Sequence, residues 1–198
     1  ALINLFLSAR FLVGLPYLIK ITLGLSSQLY SFAEAALSLG SILGGMLSAA
    51  ALGRTGLRGA WRFLLGTALS LLPIALALVL GLPPLAAYGV ILAAVLAGMA
   101  CAMLFSVAAQ TYLQRATPPH LLGKVAAFVS AISTCAMPLG QALYGVLFQA
   151  FQARVWVVVL LGLGASLAVA LAAAPALRKL PGLDEAPSGG YTEESLNP

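Results

Sequence analysis

The sequence predicts an all-α integral membrane protein, a bundle of six transmembrane helices. Three observations carry this reading. Apolar residues make up 62% of the chain and charged residues only 8%, against about 25% charged in soluble domains, so a soluble fold would lack the polar groups to cover itself. The apolar residues fall in runs of about 18 to 28, each long enough to cross roughly 30 Å of hydrocarbon as a helix. Lipid forces every backbone N–H and C=O to pair internally, which leaves helices or a closed barrel. The runs lack the period-2 alternation of a barrel strand and are dominated by Leu and Ala, so they are helices.

Six spans follow in order: Leu2 to Ile19, Leu29 to Leu52, Trp61 to Leu80, Leu85 to Leu113, Val125 to Phe151 and Val155 to Ala174. Short connections rich in breakers separate them, at Gly24 with Ser26 and Ser27, Gly53 to Gly59, Gly81 to Pro84 and Thr117 to Gly123. Residues 1–176 are read as one transmembrane domain. Residues 177–198 hold four of the five acids with several Pro, Gly and Ser residues, the composition of a disordered tail. No signal peptide is visible, and the chain opens at Ala1 inside an apolar run, which predicts further sequence upstream, with a processed start as the alternative.

The net charge of +5 does not point to nucleic acid, because the cations stand singly at span ends without a basic stripe or an aromatic platform. They are distributed unequally. Arg54, Arg58, Arg62, Arg115, Lys124, Arg178 and Lys179 fall on one side, and Lys20 and Arg154 on the other. By the excess of Lys and Arg in cytoplasmic loops, the rich side and the tail face the cytoplasm. Cys101 and Cys135 lie inside apolar runs and read as small core residues. No cofactor or metal is expected: His120, the only histidine, stands in a connection beside Pro118 and Pro119.

The spans differ in character. The third and sixth carry few polar side chains beyond Thr67, Ser70 and Ser166 and suit a lipid-facing position. The first and fourth carry Asn4, Ser8 and Arg10, and Ser106, Gln110 and Thr111. The second holds Ala36, Gly40, Gly44 and Ser48 at every fourth residue, a stripe that lets another helix approach closely. The fifth holds Pro138, Gly140 and Gly145 at a similar stage. Pro16, Pro73 and Pro138 are kink candidates, since each removes a backbone hydrogen bond. The order polar, small-residue, lipid-facing thus occurs twice. It predicts two three-helix repeats, inverted relative to each other because each crosses the membrane an odd number of times.

Two stretches resemble a known family. Asn4 to Gly45, "NLFLSARFLVGLPYLIKITLGLSSQLYSFAEAALSLGSILGG", resembles the seventh and eighth helices of a major facilitator superfamily transporter, nearest to its drug, macrolide and siderophore exporters. Thr111 to Gly145, "TYLQRATPPHLLGKVAAFVSAISTCAMPLGQALYG", is similar to that group's tenth-to-eleventh loop and eleventh helix, through Gln114, Pro118, Gly123, Lys124, Val125, Pro138, Leu139 and Gly140. In the cytoplasmic loop, "GGMLSAAALGRTGLRG" keeps Arg54, Gly56 and Arg58 of the family signature but lacks its Asp. The resemblance spans Leu2 to Ala174. It implies the C-terminal six-helix half of a bacterial inner-membrane exporter, moving a small, lipophilic molecule by alternating access with proton or ion coupling. A missing N-terminal half, or a second copy, would complete the pathway. The packing surface of Ala36, Gly40, Gly44, Ser48, Pro138 and Gly140 is then expected to meet that partner.

Glu34 is the one acid inside an apolar run, and an intramembrane carboxylate is a candidate for loading a proton or attracting a cation. Arg10 is the one cation deep in a run and lies within reach of a pair with Glu34. Two structural readings stand beside these: Glu34 at headgroup level, and Arg10 snorkelling to the cytoplasmic face. Asn4, Gln110 and Thr111 either line a central cavity or bond between helices. An intramembrane hydrolase would need a nucleophile with a His or Asp at membrane depth, and a channel would need re-entrant or repeated pore signatures. Neither is found, so no enzymatic activity is expected. The remaining alternative to a transporter is a non-transporting membrane scaffold or an inactive truncated product.

Overall fold

The computed structural model describes residues 9–178, all of it helix and connecting turn. Asn4, Ser8 and the segment from Lys179 onward lie outside the described residues. Helix α1 (Ala9–Pro16) continues as a π-helical turn over Tyr17–Thr22; α2 spans Ser27–Thr55 and is followed by a 3-10 turn at Leu57–Gly59. Then come α3 (Ala60–Leu69), α4 (Leu71–Val79), α5 (Pro84–Ala116), α6 (Pro119–Ala150), a 3-10 turn at Gln152–Arg154, and α7 (Val155–Arg178). Five segments are long and apolar enough to cross a membrane: Ser27–Thr55, Ala60–Val79, Pro84–Ala116, Pro119–Ala150 and Val155–Pro175. The predicted first span is described as the shorter apolar stretch Phe11–Thr22. The chain is therefore a membrane-type helical bundle.

Each boundary has a local cause. The two Pro-Pro pairs start α5 and α6. Pro83 and Pro118 are held extended, at ψ 144° in both, because the residue before a proline is disfavoured in the helical region. Pro84 and Pro119 then occupy the first helical position, where a missing N–H costs nothing. Consequently α6 starts six residues before the predicted Val125. His120, Gly123 and Lys124 therefore lie on its opening turns and are helical, where a loop was expected. Gly56 and Gly81 end α2 and α4 in the left-handed region, at φ 62° and φ 60°, which glycine adopts without steric penalty.

The three kink prolines behave differently. Pro16 ends α1, and the chain widens into the π-helical turn. Pro73 cannot donate to the Leu69 carbonyl, and the helix is broken at Ser70, next to that carbonyl. Pro138 sits inside an unbroken α6.

Short connections make successive crossings antiparallel, so α2 and α5 run the same way, as do α1 and α6. α2 packs mainly on α5, α1 on α6, and α3 and α4 on α5 and α7. The largest core cluster joins Phe11 and Leu15 of α1 and Ile19 of the π-helical turn with Leu71 and Ile74 of α4, Ile91 and Val95 of α5, Tyr144 and Phe148 of α6, and Val158 of α7. Two smaller clusters, around Leu52 with Ala108 and around Leu64 with Ala170, hold the other end.

The structure corrects the expectation that the third and sixth spans are the lipid-facing ones. They are the two most buried of the five, and Thr67, Ser70 and Ser166 are all buried. Their hydroxyls are satisfied inside their own helices, donating to the carbonyls of Phe63 at 2.9 Å, Thr67 at 2.8 Å and Gly162 at 2.6 Å. A hydroxyl bonded in this way carries little desolvation cost and packs as a small residue. The most exposed of the five spans is α6, none of whose most apolar window is buried. Cys101 packs against Gly66, whereas Cys135 is exposed on α6, which corrects its reading as a core residue.

The alternating topology places Arg54, Arg58, Arg62, Arg115, Lys124 and Arg178 at one end of the bundle, hereafter the basic end, and Lys20 and Arg154 at the other. Single cysteines at Arg58 and Pro84, both exposed, in a background lacking Cys101 and Cys135 test which end is cytoplasmic. An impermeant thiol reagent added to intact cells is expected to label position 84 and spare position 58. Labelling of position 58 from outside reverses the orientation.

Candidate functional site

Glu34 is the single carboxylate among the described residues, and the candidate site is built around it. It lies in the second turn of α2, about 10 Å along the helix from Ser27, and its side chain is exposed. Ser26 precedes the helix as N-cap, its hydroxyl accepting from the Leu29 N–H at a long 3.4 Å. One turn before Glu34, the Tyr30 hydroxyl donates to Glu34 Oε1 at 2.6 Å. A bond that short between a phenol and a carboxylate is of the charge-assisted class. Lys20, carried by the π-helical turn, places its Nζ 4.8 Å from the Tyr30 ring centroid. The Tyr88 hydroxyl of α5 donates to the Leu29 carbonyl at 2.9 Å and fixes this end of α2 against α5. The result is a chain of cation, aromatic ring and carboxylate joining the π-helical turn to α2 at the end opposite the basic one.

The other expected pathway residues do not join it. Arg10 lies on α1, but its side chain and Asn4 are outside the described residues, so the Arg10–Glu34 pair is as well. Gln110 is exposed, and the half-buried Thr111 hydroxyl donates to the Val107 carbonyl of its own helix at 2.8 Å. Gly44 lies beside Ala100; Glu34 is ten residues before the first and Gln110 ten after the second. The two are therefore about 30 Å apart along the bundle, close to a full hydrocarbon thickness. Glu34 and Gln110 mark opposite ends and do not line one cavity. The core does contain a cavity, of about 30 Å³, walled by Phe11, Leu15, Leu71, Ile91, Phe148 and Val158. That is room for one or two waters in an apolar, dry setting.

No family model, curated protein or solved structure matches the chain.

The small-residue stripe has a partner within the chain. Ala36, Gly40 and Gly44 are buried. A Cβ on Gly40 would overlap the Leu96 carbonyl oxygen and lie 3.1 Å from Met99 Cβ; one on Gly44 would overlap the Ala100 carbonyl oxygen and lie 2.9 Å from Ala100 Cα. This is a helix crossing of the small-residue type, made with α5. It corrects the expectation that the stripe meets a separate half. Ser48, half-buried, donates to the Gly45 carbonyl at 2.6 Å; on α6, Gly140 is buried and Pro138 exposed. In the loop motif Arg54 occupies the last turn of α2, Gly56 terminates it and Arg58 sits in the 3-10 turn.

Tyr30 was not singled out from the sequence. Its spacing of four residues from Glu34 was the available signal, since such pairs meet on a helix face. Lys20 could not be placed over the ring without the turn between α1 and α2.

Proposed function

We propose that the chain forms one half of a secondary transporter of the major facilitator type, exporting a small lipophilic molecule by alternating access with proton coupling. The observation that carries this reading is the pairing of helices. A two-fold axis in the membrane plane that exchanges α1 with α5, α2 with α6 and the α3–α4 span with α7 converts the α2–α5 pair into the α6–α1 pair. It also maps the α3–α7 contact onto itself. Both pairs are parallel and these three contacts are present, whereas the packing of α3 and α4 on α5 has no comparable counterpart between α7 and α1 among the described residues. Inverted triplets related in this way are the architecture of rocking transporters.

Exposure supports the same reading. The uncovered surfaces of α2 and α6 carry Glu34, Ser31 and Ser38, and Ser130, Thr134 and Gln141 in part. Polar side chains on transmembrane helices face protein or water in preference to lipid. A second six-helix unit, a further segment or another copy of this chain, would close the pathway across them. Glu34 is the group we assign to coupling, with Tyr30 as its hydrogen-bond partner.

In the complete transporter, Glu34→Gln is expected to abolish the dependence of efflux on the pH gradient while substrate binding remains. Efflux from energised vesicles, measured across a range of imposed gradients, checks this. An unchanged pH profile rejects Glu34 as the coupling group. Absence of energised efflux from the native protein leaves the scaffold reading in its place.

A further inference from the structure

The basic end carries an organised cluster that the transport reading does not use. Arg54 lies in the last turn of α2, Arg58 in the 3-10 turn and Arg62 in the first turn of α3. The 3-10 turn packs against α7, and the guanidinium of Arg178, in the last turn of α7, lies 4.3 Å from the ring centroid of Trp61. Four exposed arginines from four elements thus stand at this end, one of them, Arg178, against a half-buried indole.

Helix stabilisation explains two of the four. Arg54 and Arg178 sit at C-terminal turns, where the helix dipole favours a cation; Arg58 and Arg62 flank the N-terminus of α3, where it opposes one. Charge there is complementary to an external anion. The position identifies which anion. The apolar segment long enough to cross a membrane begins at Ala60, so Arg58 and Arg62 bracket its first residues. Trp61 between them is the residue type that settles at headgroup level. Guanidinium groups match phosphate in planar, bidentate geometry.

We propose that Arg54, Arg58, Arg62 and Arg178 form a binding site for the phosphate headgroup of an anionic lipid. The proposal rests on the membrane-embedded bundle and is independent of transport. The test uses the full chain in vesicles of phosphatidylcholine and phosphatidylglycerol, extracted into polymer nanodiscs, with the retained lipids counted by mass spectrometry.

The native chain is expected to enrich phosphatidylglycerol over its bulk fraction, and the enrichment should fall as salt is raised. R62Q/R178Q should lower the enrichment at least roughly five-fold, the effect of about one basic residue at a charged surface. R62K/R178K, which keeps both charges but loses the bidentate fork, should fall between R62Q/R178Q and the native chain, and K20Q/R154Q at the opposite end should behave as native. Equal enrichment in R62Q/R178Q and the native chain overturns the proposal. So does native enrichment that ignores salt, a measurement that does not depend on how the variants fold. Displacement of the lipid by excess inorganic phosphate would assign the cluster to a soluble anion and overturn the lipid assignment.

Discussion

Replacing Gly44 with leucine is expected to force α2 away from α5 and leave most of the chain unfolded or aggregated in detergent. The site has no slack. Even the single Cβ of alanine would overlap the Ala100 carbonyl oxygen and approach Ala100 Cα and Met103 Cβ to 2.9 Å. Two of those three obstacles are backbone, which cannot rotate aside as the end of a side chain can. Gly44→Ala should therefore cost about 1–3 kcal/mol by overpacking, and leucine more. The neighbouring Gly45, with nothing within 4 Å of a built Cβ, supplies the control. Gly45→Ala should be neutral or stabilising by up to about 1 kcal/mol through helix propensity. Thermal unfolding of the purified chain separates the two, and similar midpoints for Gly44→Ala and Gly45→Ala would refute the close crossing.

The second large effect is expected at Gly98, where three elements converge. A Cβ there would overlap Ser70 Oγ and lie 3.1 Å from Ser70 Cβ and 3.2 Å from Phe11 Cζ. Ser70 cannot swing away freely, because its buried hydroxyl donates to the Thr67 carbonyl at the break between α3 and α4. Gly98→Ala should destabilise by about 1–3 kcal/mol. Ser70→Ala, which removes the nearest obstacle, should recover part of that loss when combined with it, giving a coupling of about 1 kcal/mol or more. The recovery is partial because the Ser70 Cβ and the Phe11 ring remain. Stability changes that simply add would mean that Gly98 and Ser70 do not share this contact.

These two glycines show where the sequence stops being legible. Gly40 and Gly44 announce a helix crossing by their spacing, and the crossing exists. The spacing does not say with what, and α5 occupies the face expected to meet another half. Gly98 carries no such signal, because its neighbours come from Ser70 and Phe11, far away in the chain. At the candidate site the same division holds. Glu34 was conspicuous as the one carboxylate in an apolar run, and its hydrogen bond to Tyr30 follows from a spacing of four. The separation of Glu34 from Gln110 and Thr111 by nearly a membrane thickness required the register of α2 on α5.

What the sequence by itself determined is everything that depends on the contrast between water and hydrocarbon. Hydropathy and length located the membrane-crossing segments, proline pairs and glycines punctuated them, and the placement of Lys and Arg sorted their ends. What only the tertiary structure decided is which face of each helix meets protein. In water an apolar face must be buried, so hydrophobic periodicity reveals packing. In a membrane, lipid tails are as apolar as leucine, and a protein-facing and a lipid-facing stripe read alike. For that reason the leucine- and alanine-rich α3, α4 and α7, which looked lipid-facing, include the two most buried spans, while the glycine- and serine-bearing α6 stands the most exposed.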